Sequence, residues 1–316
     1  AWVLPHDGRL RWAMRFAVLA KPFGRLLAVL GLTRIAAMLE LAPWRLPRPG
    51  AAGRVFPAAG LRKGRVALLT GCVAPVMGPS IQEAAIRVLT RHGVEVVLPE
   101  GQECCGGLVH HMGREPEAHA AARRNIAAWT EGVEPFDAIL VTASGCGTVL
   151  KDYGFMLRND SHYAATAARV SALAMDICEY LARPGLIPQV APSGRVIAYH
   201  AACSLQHGQK ITREPKELLS KSGFVVKDVP EGHLCCGSAG TYNILQPDIA
   251  KRLRARKVEN IEKLEPDVIA AGNIGCIRQL ATGTVIPVVH PVELIDWATG
   301  GKEPPALQGQ SAAVSA

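Results

Sequence analysis

The sequence predicts an α/β protein made of two tandem repeated units. Each unit is a parallel sheet flanked by helices, and a helical segment precedes the pair. Three observations predict this. Short apolar runs alternate with amphipathic helical stretches from residue 65 onward, as parallel strands joined by right-handed crossover helices require. Eight of the nine cysteines fall in one pattern that occurs twice. The first 47 residues place apolar and basic side chains at helical spacing, with breaks at Pro22 and near Gly31.

Composition bounds the function. Hydrophobic residues are 49% of the 316, too many for a disordered chain. Thirty-five Lys and Arg against 27 Asp and Glu give a net charge of +8, too modest an excess to point to nucleic acid, so no nucleic-acid partner is expected. No run of roughly 18 apolar residues is free of charge, which argues against a membrane-spanning helix. The apolar, basic stretch Arg9–Leu41 is interrupted by Pro22, Arg25 and Arg34 and does not read as a secretory signal. Nine cysteines are far too few for a disulfide scaffold, so a cytoplasmic protein with reduced thiols is expected.

Along the chain, residues 1–64 read as a helical preamble and linker. Arg9, Arg11, Arg15, Lys21, Arg25 and Arg34 give the preamble a basic face. That face suits docking on the inner surface of the cell membrane or on a partner subunit, and equally a helical strap packed on the body. Residues 43–64, rich in Pro, Gly and Ala, read as the linker.

The first unit spans 65–160. Val66–Leu69 reads as a strand that runs on to Cys72, Ser80–Arg91 as a helix stopped by Gly93, and Val94–Leu98 as the next strand. Cys104-Cys105-Gly106 follows in a loop, then an Ala-rich helix over Glu115–Glu131 and a strand over Ala138–Thr142 that leads to Cys146. Residues 161–194 read as a connecting helix, continuous from Ala164 to Ala182. The second unit, 195–300, repeats the order with strands at Val196–Tyr199, Phe224–Val226 and Val268–Ala271, helices at Glu214–Ser222 and Pro247–Leu264, and a further strand at Thr284–Val289. Residues 301–316 read as a disordered tail.

The cysteines carry the chemistry. Cys72, Cys104 and Cys105 recur 131 residues later as Cys203, Cys235 and Cys236, and Cys146 recurs 130 later as Cys276. Each sits beyond a strand end, where ligands gather in parallel sheets, so the four thiols of a unit are expected to converge at one sheet edge. Three uses are open. Four thiolates suit an iron–sulfur cluster, whose spread of iron atoms accommodates adjacent cysteines if Gly106 and Gly237 let the backbone kink. They also suit structural zinc, although no C-x-x-C knuckle is present. A disulfide between neighbours is strained. Cys178, in MDICEYL, has no repeat partner and reads as a core thiol. His110, His111, His200, His233 and His290 lie near the cysteines and read as core or surface groups able to hydrogen-bond a sulfur, not as ligands. Tyr199, Lys151 and Arg278 are read in the same way.

The pattern of a lone Cys, a Cys-Cys-Gly about 32 residues on and a further Cys about 40 residues later resembles the cysteine-rich CCG domain. That domain occurs in tandem in a subunit of heterodisulfide reductase, in the small subunit of anaerobic glycerol-3-phosphate dehydrogenase and in lactate-utilisation proteins. The segments LLTGCVAPVMGP, ASGCGTVLKDYG, YHAACSLQHGQ, LCCGSAGTYNILQP and GNIGC look most like the branch of glycolate oxidase (glycolate dehydrogenase) iron–sulfur subunits. The resemblance covers about residues 1–298. It implies that the eight repeated cysteines ligate iron–sulfur clusters of the 4Fe–4S type. It further implies that the chain conducts electrons from flavin-containing subunits, which oxidise glycolate to glyoxylate, to a respiratory acceptor such as quinone, and that the chain alone is not catalytic. Lactate or glycerol-3-phosphate oxidation, thiol–disulfide reduction, and a zinc-stabilised scaffold are the alternatives. Two departures from the family pattern matter. The two C-x2-C-x2-C-x3-C-P runs of the family's ferredoxin-like part do not occur in these 316 residues, and Ala143 and Asn273 stand where the disulfide-reductase branch has a fifth cysteine.

Overall fold

The computed structural model describes residues 2–44, 46–47, 54–183, 186–188, 190–191 and 193–308. The preamble forms α1 (Asp7–Ala20), α2 (Gly24–Val29) and α3 (Thr33–Leu41). A 3-10 turn at Lys21–Phe23 takes up Pro22, and Gly31 adopts positive φ between α2 and α3. The first unit contains β1 (Val55–Phe56), β2 (Gly64–Leu68), α4 (Ala74–Met77), α5 (Pro79–Arg91), β3 (Val94–Val97), α6 (Gly107–His110), α7 (Glu115–Thr130) and β4 (Ala138–Val141). It continues through α8 (Ser144–Met156), α9 (Ala164–Leu173), β5 (Ala174–Asp176) and α10 (Ile177–Leu181). The second unit contains β6 (Val196–His200), a π-helical turn at Ser204–Gly208, α11 (Glu214–Lys221), β7 (Val225–Asp228), α12 (Tyr242–Leu245) and α13 (Pro247–Glu262). It ends with β8 (Val268–Ala271), α14 (Ile274–Ala281), β9 (Val288–Val289) and α15 (Pro291–Ala298).

The sheets are ordered β1-β3-β2-β4-β5 and β7-β6-β8-β9, which match once the extra edge strand β1 is set aside. Apart from β1, every neighbouring pair is parallel. The registers repeat as well. Val66 faces Ala138 across β2 and β4, and Ile197 faces Val268 across β6 and β8. These are the residue pairs that the cysteine offsets equate, so the duplication extends to strand register. All four residues of β4 and of β8 are buried, as expected of central parallel strands covered by helices on both faces. α5 buries Ile81, Ala84, Ala85, Val88 and Leu89, a stripe at helical spacing. One apolar core runs through both units, joining Val66, Leu68 and Leu140 of the first sheet to Ile197, Ile269 and Val289 of the second. A second core lies on the other face of the first sheet, around Ile126, Ile139 and Tyr153.

The structure differs from the sequence reading in four places. Ala164–Ala182 is not one helix: Ala174–Asp176 extends and pairs with Ile139–Val141 of β4, and the Asp176 side chain then caps α10 through the Cys178 N–H at 2.9 Å. Glu179 returns a bond to the Asp176 N–H, completing a capping box. Within the linker, Val55–Phe56 forms an edge strand antiparallel to β3; residues 45 and 48–53 lie outside the described residues. Only Val288–Val289 of the Thr284–Val289 run pairs in the sheet, with Pro287, which has no N–H, directly before it. The tail is ordered as far as residue 308, with Leu307 buried in the shared core; residues 309–316 lie outside the described residues. No helix among the described residues is long and apolar enough to cross a membrane.

Candidate metal centre

Each repeat delivers its cysteines from three loops at the carboxyl ends of its strands. Cys72 follows β2 and Gly71, which has φ 69°. Cys104 and Cys105 fill the loop between β3 and α6, and Cys146 lies in the first turn of α8. In the second unit, Cys203 precedes the π-helical turn, Cys235 and Cys236 lie between β7 and α12, and Cys276 lies in the first turn of α14. The first turns of α8 and α14 add the positive end of a helix dipole to their centres.

The thiols of each unit meet. Cys104 lies within hydrogen-bond reach of both Cys72 and Cys105, and Cys105 within reach of Cys146. In the second unit Cys235 is in reach of Cys203 and Cys236, and Cys236 of Cys276. All eight are free thiols. Cys104, Cys105, Cys236 and Cys276 are buried and the others half-buried. Hydrogen bonds from two neighbouring thiols each hold the Cys104 and Cys235 thiols far below the usual thiol range, against the opposing effect of burial. The same contacts, with burial, push Cys72, Cys105, Cys203 and Cys236 up. Contacts with Cys236 and His200 also lower Cys276, to about 6, against burial. Cys104 in the first quartet, and Cys235 and Cys276 in the second, therefore hold negative charge that their neighbours' protons offset. A soft cation would take the place of those protons. The backbone adds donors, with Gly107 N–H at 3.4 Å from Cys105 Sγ and Gly237 N–H at 3.3 Å from Cys235 Sγ. Four convergent sulfurs with backbone donors at their rim fit an iron–sulfur cluster, and by donor type alone they also fit zinc.

The glycine that follows each cysteine pair is structurally required. Gly106 and Gly237 have φ of 81° and 90°, and each lies under the neighbouring long helix. A Cβ on Gly237 would overlap the Ala250 carbonyl oxygen, whereas one on Gly106 would stand 3.1 Å from Ala121 Cβ. Gly237→Ala should therefore destabilise the fold by at least about 2 kcal/mol, and Gly106→Ala by less, because its contacts, the closest at 3.1 Å, are tight but not overlapping. Denaturant midpoints of the two variants check this order.

Ala118 and Ala250 contact Gly106 and Gly237 in the same way, which aligns α7 with α13 and sets Asn125 opposite Lys257. Asn125 donates to the Cys104 carbonyl at 3.2 Å, and Tyr153 donates to the Cys105 carbonyl at 2.9 Å, so both clamp the first cysteine pair. Lys257 donates to the Glu231 carbonyl at 2.7 Å, on the loop that leads to Cys235.

The two centres lie close together. The Ser144 and Ser204 hydroxyls are 2.7 Å apart, Asn273 Nδ2 reaches Ser144 Oγ at 3.0 Å, and Gln209 Nε2 reaches the Ser144 carbonyl at 2.8 Å. Ser144 is two residues before Cys146, and Ser204 directly follows Cys203. Covalent geometry across that bridge limits the Cys146–Cys203 Cα separation to about 19 Å. Asn273 also caps α14 through the Gly275 N–H at 2.8 Å, so the position of the missing fifth thiol serves the helix end and the seam between units.

Among the histidines, His200 belongs to the second centre: a ring nitrogen lies within 4.8 Å of Cys236 Sγ and Cys276 Sγ. The first unit has Leu69 at the matching strand position, so a repeat alignment that compares the residues between the cysteines could have singled it out. His290 caps α15 through the Val292 N–H at 3.1 Å, and His110 packs against His111. Lys151 pairs with Glu179 at 2.7 Å, Arg278 donates to the Met77 carbonyl, and Tyr199 is buried in the shared core. Cys178 is buried there too, and burial raises its thiol.

A family model described as "CCG: Cysteine-rich domain" matches residues 66–151 and 197–281, one match per unit. The chain is similar to the glycolate oxidase iron-sulfur subunit of Escherichia coli strain K12, at 41% identity over 75% of this chain and 58% of that protein. It is 28% identical to the probable glycolate oxidase iron-sulfur subunit of Bacillus subtilis strain 168, over 95% of this chain and 71% of that protein. Lactate utilization protein A of Geobacillus thermodenitrificans is 25% identical over 73% of this chain and 98% of its own. A crystal structure of a hypothetical protein from Helicobacter pylori shares the fold, with TM-score 0.57 and 11% identity over 82% of this chain and 53% of that one. The chain thus spans little more than half the length of the E. coli relative.

Proposed function

The chain belongs to the CCG cysteine-rich domain family, and from that premise we propose that it is the electron-transfer iron–sulfur subunit of a complex that oxidises glycolate to glyoxylate. The observation that carries this reading is the pair of matched thiol quartets, each converged at its sheet edge and the two joined by the Ser144–Ser204 bridge. Cys72, Cys104, Cys105 and Cys146 would hold one cluster, and Cys203, Cys235, Cys236 and Cys276 the other. A bound cluster, which we take to be of the 4Fe–4S type, supplies one-electron acceptance and release.

The chain's own residues set the conditions for that exchange. Buried strands and α7 or α13 keep water from the inner sulfurs. The half-buried Cys72, Cys146, Cys203 and Cys235 leave each centre an outer edge from which an electron can pass. Flavin-containing subunits would oxidise the 2-hydroxy acid, and this chain would pass electrons on toward a respiratory acceptor such as quinone. The preamble supports a docking role. Its helices pack on the body through Arg11 to the Pro75 carbonyl and Glu40 to Arg254, and their outer side exposes Trp12, Phe16, Leu19, Phe23, Val29 and Leu30 beside the basic residues. Such a face suits a partner subunit or the inner surface of the cell membrane.

The test is co-purification with the flavoprotein followed by dye reduction. Glycolate should drive reduction faster than lactate. Lactate as the faster substrate would move the chain to the lactate-utilisation reading that its similarity to lactate utilization protein A also supports.

A further inference from the structure

The geometry points to two unequal centres. We propose that the second, at Cys203, Cys235, Cys236 and Cys276, is reduced at a higher potential than the first, because His200 and Lys257 occupy the positions beside it that Leu69 and Asn125 occupy beside the first. This inference rests on the iron–sulfur reading above.

The equivalences come from structure. His200 ends β6 opposite Ala271, and Leu69 follows β2 with its N–H on the Leu140 carbonyl, the same register step. Lys257 and Asn125 occupy matching turns of α13 and α7, fixed by the contacts of Ala250 and Ala118 with their glycines. His200 is 1% exposed, and neither ring nitrogen has a hydrogen-bonding nitrogen or oxygen partner among the described residues. The groups it faces are the sulfurs of Cys236 and Cys276, within 4.8 Å. Lys257 is also 1% exposed and is held by the Glu231 carbonyl on the loop before Cys235; burial disfavours its charge, and the Cys236, Glu231, Cys235 and Cys276 charges favour it. Glu231 turns its carboxylate to Arg256 and Asn260 and hydrogen-bonds Lys257 through its carbonyl. At the first centre the corresponding groups are a leucine and a neutral amide. His6 also acts on Cys104, but it is exposed and screened by water.

Reduction adds a negative charge to a centre that is already anionic. A buried cation, and a ring nitrogen within 4.8 Å of two of its sulfurs that can carry a proton, stabilise the reduced form more than the oxidised one, and a low local dielectric enlarges that difference. At the first centre the two matching positions, Leu69 and Asn125, supply neither. Electrons arriving at the first would therefore run downhill to the second, which makes His200 and Lys257 positioning residues for the direction of flow.

The test is a dye-mediated redox titration of the full chain, loaded with iron and sulfide without oxygen and followed by electron paramagnetic resonance. Cys104→Ser isolates the second centre and Cys235→Ser the first. The second should titrate higher. His200→Leu and Lys257→Asn should each lower its potential and leave the first unmoved. The reverse pair, Leu69→His with Asn125→Lys, should raise the first, and it decides the matter if a second-centre variant fails to load. Equal or reversed potentials, or substitutions that leave the potentials unmoved in loaded protein, would overturn the proposal. A chain that takes up zinc, or no sulfide, would instead overturn the iron–sulfur reading on which it stands.

Discussion

Cys104→Ser should remove the iron of the first centre and leave the second loaded, and Cys235→Ser should do the reverse. Each variant should retain about half of the wild-type iron and acid-labile sulfide. Cys104 and Cys235 are the sharpest choices because each touches two other thiols of its quartet. Serine keeps the volume and removes the soft donor, so the packing around it changes little while the site loses its central sulfur. The shared apolar core is built mainly on strand and helix residues such as Val66, Leu140, Ile197 and Ile269, so far-ultraviolet circular dichroism should be unchanged. Anaerobic purification with iron and sulfide analysis is the measurement. Unchanged iron in both variants would remove the eight cysteines as ligands, and stoichiometric zinc in a colourless protein would favour the scaffold alternative.

Much of this architecture was legible because a duplicated sequence supplies its own comparison. The cysteine offsets placed the strand ends, and the observed registers of β2 with β4 and β6 with β8 repeat in step with them. The comparison failed where the copies differ in length. After β4 the first unit inserts α9 between α8 and its last strand, β5, whereas the second reaches β9 after α14, the counterpart of α8, alone. Three extended residues inside an alanine-rich amphipathic run do not disturb helical periodicity, so the strand at Ala174–Asp176 left no mark on the pattern. The clue lay one step further on. Asp176 and His290 are both N-caps at the end of the last strand of their sheets, and Glu179 and Glu293 both return a bond three residues later. Aligning those capping boxes sets Cys178 opposite Val292, which explains in physical terms why the ninth cysteine is a core residue. His200 was visible as a residue but not as a neighbour of Cys236, since that proximity depends on how the loop after β7 folds back over β6.

Asp296→Ala should destabilise both units together, by about 2–4 kcal/mol. Asp296 is fully buried on α15, and it is held by two arginines of α5, in the other unit: Arg87 Nη2 at 2.7 Å and Arg91 Nη2 at 2.9 Å. Arg91 also reaches the Asp296 carbonyl and Thr299 Oγ1, and the Gly301 N–H closes the C-terminal end of the helix on that carbonyl at 2.7 Å. Removing the carboxylate leaves two guanidiniums facing each other over an apolar seam. Their side chains are 32% and 29% exposed, so water can partly resolvate them, and this keeps the loss below that of a fully enclosed pair. The seam is also where one core continues from the first sheet into the second, so neither unit can lose it alone. Hydrogen exchange followed separately in α7 and in α13 should show the same shift of midpoint in both, and Asp296→Asn, which keeps the shape and loses the charge, should fall between wild type and the alanine variant. Two separated transitions would mean that the repeats fold independently. The shared core and the Arg87–Asp296–Arg91 cluster would then not couple the two units.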